Sequence, residues 1–207
     1  MSTLSGDANL SLPEFDAPPP DPLALLRAWI AAAEQRDVRE PCAVTLATAD
    51  SSGAPATRSV MVKAVDERGL VFGSYRTSRK GEHLAANPRA ALTFYWRELL
   101  QQVNVAGVVE TLADDASDVL FSQRPPAAQA TTAASRQSRP LASESALRAA
   151  AAALLDSGEP VVRPADWVGY RLVPDAIEFW YGSTERLHRR LQYTAAHGAW
   201  SAERLQP

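Results

Sequence analysis

The sequence has little cysteine, little histidine and no long apolar run. Its single cysteine, Cys42, can form no disulfide within the chain, and no CxxC pair or Cys/His cluster indicates a structural zinc site. No stretch approaches the roughly 18 consecutive apolar residues of a transmembrane helix. The first residues, MSTLSGDANL, lack the basic and apolar regions of a secretory signal. We therefore expect a soluble, cytoplasmic protein without a metal site.

The motifs of common nucleotide-binding and hydrolytic enzymes are also missing. The sequence contains no GxGxxG, no P-loop and no GxSxG, and its three histidines never stand at HExxH spacing. Asp114 and Asp115 are adjacent, but their position at a predicted helix start explains them by capping. Because neither a protein nucleophile nor a metal is indicated, a bound organic cofactor is the remaining source of chemistry.

Charge and length narrow the class of protein further. The formal net charge is −3, which disfavours a dedicated nucleic-acid binder, since such domains are usually clearly basic. The 207 residues suffice for one domain with a sizeable core. Residues 1–22 contain no lysine or arginine and include three consecutive prolines. We expect residues 1–21 to form an extended arm, ordered only where it docks, and residues 22–207 to form a single domain.

Hydrophobic periodicity predicts a mainly β protein with peripheral helices. Asp21 as N-cap and Pro22 at the first helical position predict a helix over 22–36. Further helices are expected at 78–88, 114–123 and 143–158, whereas 124–142 has no clear period and is expected to be an ordered loop or lid. Apolar or alternating segments between turns predict strands at 42–49, 56–63, 70–74, 91–96, 101–112, 167–173, 176–182 and 186–193. The predicted fold is α+β, a six-to-eight-stranded antiparallel β-barrel with helices at its ends and side.

The basic side chains are concentrated in one stretch. Between Arg58 and Arg97 the sequence holds eight basic and three acidic residues. Ser78 is the predicted cap of a helix whose first turn contains Arg79 and Lys80. Cations oppose the dipole at a helix N-terminus, so they cost stability there unless an anion such as phosphate is bound. The alternative is a solvated basic face, and the spacing alone does not decide between the two.

A second basic group lies in the segment RLHRR (186–190). In a strand, Arg186, His188 and Arg190 would share one face, and Leu187 and Leu191 would face the core. An anionic ligand lying across the three side chains would relieve their repulsion. A charged edge strand that resists aggregation explains the same local pattern at least as well.

Eight short segments stand in a distinctive order along the chain: RSVMVK (58–63), SRKG (78–81), QQV (101–103), SRQS (135–138), GYRL (169–172), EFW (178–180), RLHRR (186–190) and RLQP (204–207). In order and spacing they resemble the pyridoxamine 5′-phosphate oxidase family, over about residues 22–207. The resemblance implies an FMN-dependent split β-barrel that works as a homodimer, with FMN at the subunit interface.

Within that family the sequence is more similar to the phenazine-biosynthesis oxidases than to the vitamin enzymes. The segments LSGDANLSLPEFDAPP, VREP (38–41), YWRE (95–98) and RLHRRLQY carry this similarity. Where the vitamin-type enzymes place a Tyr and a Ser around the substrate phosphate, this sequence has Leu120 and Ala128, and only Lys63 and Arg124 of that cluster remain. Losing two hydroxyl donors is costly for a dianionic phosphate but costs little for a flat, largely apolar tricycle that bears a carboxylate.

The resemblance also implies the site residues. Lys63, Arg124 and Arg186 would bind the substrate carboxylate, and His188 would position the substrate. The residues implied for FMN binding are Arg58, Ser59, Val60, Met61, Gly73, Ser74, Arg79, Lys80, Gln102, Gln137, Ser138, Trp180 and Arg190, some of them from the second subunit.

The function that the resemblance implies is an oxidase that transfers electrons from a reduced (di-, tetra- or hexahydro) phenazine carboxylate precursor through FMN to O2. One alternative is a pyridoxine or pyridoxamine 5′-phosphate oxidase with a weakened phosphate pocket. A second alternative is a non-catalytic split-barrel protein that binds flavin or haem.

Overall fold

The computed structural model describes residues 5–207. Within them, nine strands form one curled antiparallel sheet. The strands are β1 (Ala43–Ala49), β2 (Pro55–Met61), β3 (Ala64–Val65), β4 (Leu70–Tyr75), β5 (Arg89–Trp96), β6 (Gln101–Thr111), β7 (Trp167–Tyr181), β8 (Arg189–Ala196) and β9 (Ala199–Leu205). Five α-helices accompany them: α1 (Pro22–Gln35), α2 (Arg79–Ala86), α3 (Asp114–Ser122), α4 (Pro126–Ala134) and α5 (Glu144–Asp156).

The sheet curls until its two ends meet. Its strands follow the order β2-β1-β5-β6-β7-β4-β3, and β8 and β9 extend from β7. The chain runs from β2 directly into β3, where the Lys63 N–H donates to the Val71 carbonyl of β4 at 2.8 Å. The barrel is therefore closed on one side through residues 61–65, while β2 leaves an open edge towards β4. The predicted antiparallel split barrel with peripheral helices is confirmed, with nine strands rather than six to eight.

Helix α1 covers the barrel core. The Asp21 carboxylate accepts from the Leu23 N–H at 2.9 Å and fixes the helix start, as the capping pattern predicts. Leu26, Trp29 and Ala33 are buried on one face of this helix. The Trp29 ring meets the Phe179 ring of β7 edge-on, with the centroids 5.0 Å apart.

Strand β7 corrects one expectation, because 167–173 and 176–182 belong to a single strand rather than to two. Pro174 cannot donate to the ladder, and the register against β6 shifts between Ala106 and Gly107. A side chain at Gly107 would lie 2.0 Å from the Val173 carbonyl oxygen, so only glycine permits this close approach of the two backbones. The strand bends at this bulge and continues.

Two further elements differ from the sequence expectations. The segment expected to be a loop or lid contains helix α4, which begins at Pro126. Proline in the first turn is a helix-start signal, but the apolar periodicity that follows it is too weak to predict a helix. Strand β9 was not predicted, since only Trp200 and Leu205 give it a partly apolar character. It pairs with β8 through the turn at His197 and Gly198.

The described part of the amino-terminal segment docks on the barrel. Phe15 is 1% exposed and lies beneath the guanidinium groups of Arg189 and Arg204, at 4.6 and 5.5 Å from the ring centroid. The Tyr193 hydroxyl donates to the Pro19 carbonyl at 2.9 Å. Residues 1–4 of the expected arm lie outside the described residues.

Two features are absent from residues 5–207. No helix in this part of the chain is both long and apolar enough to cross a bilayer. No group of three or more His, Cys, Asp or Glu residues there could hold a metal ion.

Candidate functional site

A cavity of about 580 Å³, here called the main cavity, lies between the open edge of β2, strand β4 and the start of α2. Helices α3 and α4 and the loop 135–138 complete its wall. Its lining residues are Ala56, Thr57, Arg58, Ser59, Val60, Met61, Lys63, Gly73, Ser74, Arg79, Lys80, Leu120, Arg124, Pro125, Ala128, Gln137, Ser138 and Trp167. Twelve of the seventeen residues implied by the resemblance are among them. Those from β2 lie there because the strand is at the sheet edge and exposes both of its faces.

One end of the main cavity is formed by the first turn of α2 and is called the helix end. The Ser78 hydroxyl accepts from the Gly81 N–H at 3.3 Å and caps the helix, as predicted. Lys80 is only 6% exposed, and its Nζ donates to the Ser74 hydroxyl at 3.0 Å. Burial, with the nearby charge of Arg58, lowers the pKa of Lys80 to about 8. The solvated-face interpretation is thus wrong for Lys80, whereas Arg79 is exposed.

A second cation strengthens the positive field at the helix end. The Arg58 guanidinium crosses from β2 towards β1 and donates to the Leu46 carbonyl and the Thr48 hydroxyl, at 3.2 and 2.8 Å. Burial and the charge of Arg79 lower the pKa of Arg58. Within the described chain the main cavity is lined by five cationic residues and by no carboxylate. Three of the five are partly or fully buried, and such cations, which repel one another, are stabilised when an anion binds.

The loop 135–138 closes over the helix end. The Ser74 hydroxyl donates to the Gln137 side-chain carbonyl at 3.2 Å, and the Arg79 N–H donates to the Ser138 hydroxyl at 3.3 Å. Gln137 and Ser138 therefore come from a distant part of the sequence to the same place as Ser74 and Arg79. The structure brings these four implied cofactor residues together.

Another part of the main cavity wall, called the Arg124 end, combines Lys63 and Arg124 with Leu120, Ala128 and Trp167. The Arg124 guanidinium lies over the rings of Phe121 and Trp167, at 5.5 and 5.1 Å from their centroids. Its Nη1 is buried and has no hydrogen-bond partner within residues 5–207. Burial lowers the pKa of Arg124. This end offers two cations against an otherwise apolar wall.

Five implied residues do not line the main cavity. Gln102, Trp180 and Arg190 stand in one row across β6, β7 and β8. The Glu178 carboxylate accepts from Nε and Nη2 of Arg190, at 2.7 and 3.0 Å. The His188 ring packs on Trp180 with the centroids 4.8 Å apart. These side chains, with Arg186, form a second group, which we call the β8 group.

The strand expected at 186–193 begins only at Arg189, which corrects the face assigned to Arg186 and His188. The Ser183 N–H donates to His188 Nδ1 at 3.0 Å, the Arg186 N–H donates to the Ser183 carbonyl, and Arg186 has a φ of +68°. These residues form the turn between β7 and β8, so the two-residue period of a strand does not apply to them. Leu187 is 69% exposed and does not face the core, whereas Leu191 is buried as expected.

Sequence reasoning missed Trp167 as a cavity residue. It was expected only as the first residue of a strand, and its ring reaches the cavity because β7 pairs with β4 and places it beside Gly73. This pairing joins residues almost a hundred positions apart, so no local pattern could have revealed it.

Two parts of the chain match models of known protein families. Residues 31–158 match the model described as pyridoxamine 5′-phosphate oxidase. Residues 167–207 match the model of the pyridoxine 5′-phosphate oxidase C-terminal dimerisation region. The second match contains β7, β8 and β9 and with them most of the β8 group.

Individual relatives cover nearly the whole chain. The dihydrophenazinedicarboxylate synthase of Burkholderia lata is 42% identical over 100% of this chain and 98% of its own length. A pyridoxine/pyridoxamine 5′-phosphate oxidase of Burkholderia vietnamiensis is 46% identical over 95% of this chain and 94% of its own. Among solved structures, PhzG from Burkholderia lata 383 in complex with tetrahydrophenazine-1-carboxylic acid superimposes with a TM-score of 0.95, at 42% identity, over 98% of this chain and 100% of that one.

Proposed function

The chain belongs to the pyridoxamine 5′-phosphate oxidase family, and on that premise we propose that it is an FMN-dependent oxidase that dehydrogenates a reduced phenazine carboxylate, with O2 as the electron acceptor. The observation that carries this proposal is the main cavity, which has cations at the start of α2 and a second pair, Lys63 and Arg124, beside an apolar wall. Two separate anionic groups, one on a cofactor and one on a substrate, fit such a cavity. The likeness to the Burkholderia lata synthase and to PhzG supports the choice of substrate.

The helix end fits the single terminal phosphate of FMN. Lys80 is a buried cation whose Nζ donates to two hydroxyl groups within residues 5–207, Ser74 at 3.0 Å and Ser78 at 3.4 Å, and burial lowers its pKa. Phosphate oxygens offer the charge-assisted partners that it lacks. We assign the phosphate to Arg58, Arg79 and Lys80 and the isoalloxazine ring to β2, along Ser59 to Met61. When bound, FMN supplies the two-electron acceptor for the dehydrogenation.

The Arg124 end fits a flat carboxylate. Lys63 and Arg124 neutralise the carboxylate, while Leu120 and Ala128 present methyl groups to the ring where hydroxyl donors would favour a phosphate. Because the substrate gains aromaticity in the reaction, the protein needs mainly to hold it in the reactive orientation. The residues of this end bind and orient the substrate and exclude water from it.

The β8 group completes the site in our proposal when a second copy of the chain docks. Gln102, Trp180 and Arg190 would reach the FMN of the other subunit, and Arg186 and His188 its substrate. The match of residues 167–207 to a dimerisation region supports this assignment, because this range holds four of the five residues. The proposed assembly is a homodimer with two equivalent sites.

One observation favours a second candidate, a pyridoxine or pyridoxamine 5′-phosphate oxidase. Relatives with that name share 44–46% identity with this chain, slightly more than the 42% of the Burkholderia lata synthase. Lys63 and Arg124 suit a phosphate as well as a carboxylate. Leu120 and Ala128 are the residues that weigh against it.

Peroxide production measured with both substrate classes tests the proposal. The FMN-loaded protein is mixed with chemically reduced phenazine-1-carboxylate or with pyridoxine 5′-phosphate, and the enzyme-dependent rate is separated from the spontaneous oxidation of the reduced phenazine. We expect a clear enzyme-dependent rate with the phenazine and a poor one with pyridoxine phosphate. Efficient turnover of pyridoxine phosphate alone would establish the second candidate, and bound flavin without turnover of either would establish a non-catalytic role.

A further inference from the structure

Two glycines face each other beneath the Arg124 end of the main cavity. Gly73 of β4 and Gly169 of β7 are directly paired, so this face of the sheet carries no side chain at either position. We call this depression the glycine trough. A Cβ at Gly73 would lie 2.3 Å from Cζ2 of Trp167, and one at Gly169 would lie 2.7 Å from Cδ1 of Leu112. The trough is therefore filled by neighbouring side chains, which occupy the space that a Cβ atom at either position would take.

The Trp167 ring occupies the Gly73 half of the trough. Trp167 pairs with Tyr75, which makes Gly73 its diagonal neighbour on the same face of the sheet. The ring is 4% exposed and meets the Phe121 ring of α3 edge-on, with the centroids 5.1 Å apart. It is thus held from below by the trough and from the side by α3, and its remaining surface contributes to the cavity wall.

Arg124 rests on these two rings. Its guanidinium lies 5.1 Å from the Trp167 centroid and 5.5 Å from that of Phe121. Aromatic rings attract a guanidinium and fix its position but leave its N–H groups without an acceptor. Nη1 of Arg124 is indeed buried and unpartnered within the described residues. The rings therefore fix the cation, and its Nη1 is a donor for which residues 5–207 supply no acceptor.

We infer that Trp167, seated in the glycine trough, is the positioning residue that holds Arg124 towards the anionic group of the substrate. The inference rests on the proposed function for the identity of the ligand. The ring placement itself depends only on this chain. Gly73 has its role here as the residue whose missing side chain admits the indole.

The first experiment measures the position of Arg124 without any substrate. In the FMN-loaded protein, ring currents from Trp167 and Phe121 should displace the Arg124 Hε resonance from the ordinary arginine range. Trp167→Leu should return most of this displacement, whereas Trp200→Leu, which alters a tryptophan of β9 outside the cavity lining, should leave it unchanged. An Arg124 resonance that Trp167→Leu does not move would overturn the inference, whichever substrate the protein uses.

The second experiment measures binding by calorimetry with two probes, phenazine-1-carboxylate and uncharged phenazine. The contact exists before the ligand binds, so its loss weakens binding only by lowering the fraction of Arg124 held in the competent position, by up to about tenfold for a desolvated cation–π contact. We expect Trp167→Leu to weaken the binding of phenazine-1-carboxylate by up to about that factor more than it weakens the binding of uncharged phenazine. Trp167→Phe, which retains a ring, should recover part of the loss. An equal loss of affinity for both probes would show that Trp167 only lines the cavity and does not position Arg124, and the inference would fail.

Gly73 provides an independent check through a double-mutant cycle. Gly73→Ala should weaken the carboxylate probe because its methyl group displaces the indole, but it should have little further effect once Trp167 is Leu. Additive losses would refute the proposed role of the trough. If the wild-type protein does not bind phenazine-1-carboxylate, the proposed function fails. The inference about Trp167 is then decided by the Arg124 resonance and by the same double-mutant cycle with pyridoxal 5′-phosphate as the probe.

Discussion

Restoring two hydroxyl donors at the Arg124 end should convert the protein towards a vitamin-type oxidase. Leu120 and Ala128 line the same cavity as Lys63 and Arg124, so the double variant Leu120→Tyr/Ala128→Ser would place two donors beside two cations. A hydrogen bond to a charged group contributes about 1.5–3 kcal/mol. Two such bonds would therefore stabilise a bound phosphate by roughly 3–6 kcal/mol.

Packing reduces this gain. A Cβ at Gly169 would stand 3.1 Å from Cδ2 of Leu120, so the leucine side chain already fills its half of the glycine trough. A larger ring at position 120 must displace its neighbours, and overpacking of this kind costs about 1–3 kcal/mol. The midpoint of the gain less the midpoint of the cost is about 2.5 kcal/mol. At about 1.4 kcal/mol per tenfold, we expect kcat/KM for pyridoxine 5′-phosphate to rise by about two orders of magnitude.

The control for this experiment is Leu120→Phe, which adds the ring without the hydroxyl. Steady-state peroxide production with pyridoxine phosphate and with a reduced phenazine carboxylate is compared for the wild type, the control and the double variant. The phenazine rate should stay level or fall in the double variant, because the apolar wall is lost. If Leu120→Phe raises the pyridoxine phosphate rate as much as the double variant does, the hydroxyl argument is wrong.

Three further predictions concern the cofactor and the assembly. The extracted cofactor should be FMN, and the double variant Arg79→Ala/Lys80→Ala should bind it more than tenfold more weakly, because each lost charge-assisted contact is worth about 1.5–3 kcal/mol. Recovery of FAD would count against a phosphate site at the helix end. So would an equal loss of FMN affinity in the control Arg76→Ala, which alters an exposed neighbour. The pKa of Lys80 is lowered to about 8 without a ligand, and a bound phosphate favours its protonated form. FMN affinity should therefore be full below pH 8 and fall by up to about tenfold per pH unit above it. Fluorescence titration from pH 7 to pH 9.5 measures this fall, and Lys80→Arg should abolish it. Light scattering should give about twice the 22.3 kDa chain mass, and a stable flavin-loaded monomer would contradict the shared site.

Local signals in the sequence determined the secondary structure where turn and cap residues are unambiguous. Asp21 and Ser78 mark two helix starts correctly because capping depends only on the adjacent backbone. The same reasoning failed at α4, whose alanine-rich sequence shows no apolar face, and at Arg186 and His188, where a turn replaces the expected strand. These segments owe their form to what they pack against rather than to their own pattern.

The eight family segments determined the family, and the basic residues of 58–97 predicted an anionic ligand. Only the tertiary structure decided where those residues meet, because strand pairing brings Gly73 to Trp167, and the return of loop 135–138 brings Gln137 to Ser74. It also decided that Lys80 is buried, which a helix periodicity cannot show, and that Arg124 rests on two rings. Charge and capping are properties of neighbouring residues, whereas burial and ring stacking are properties of the closed barrel.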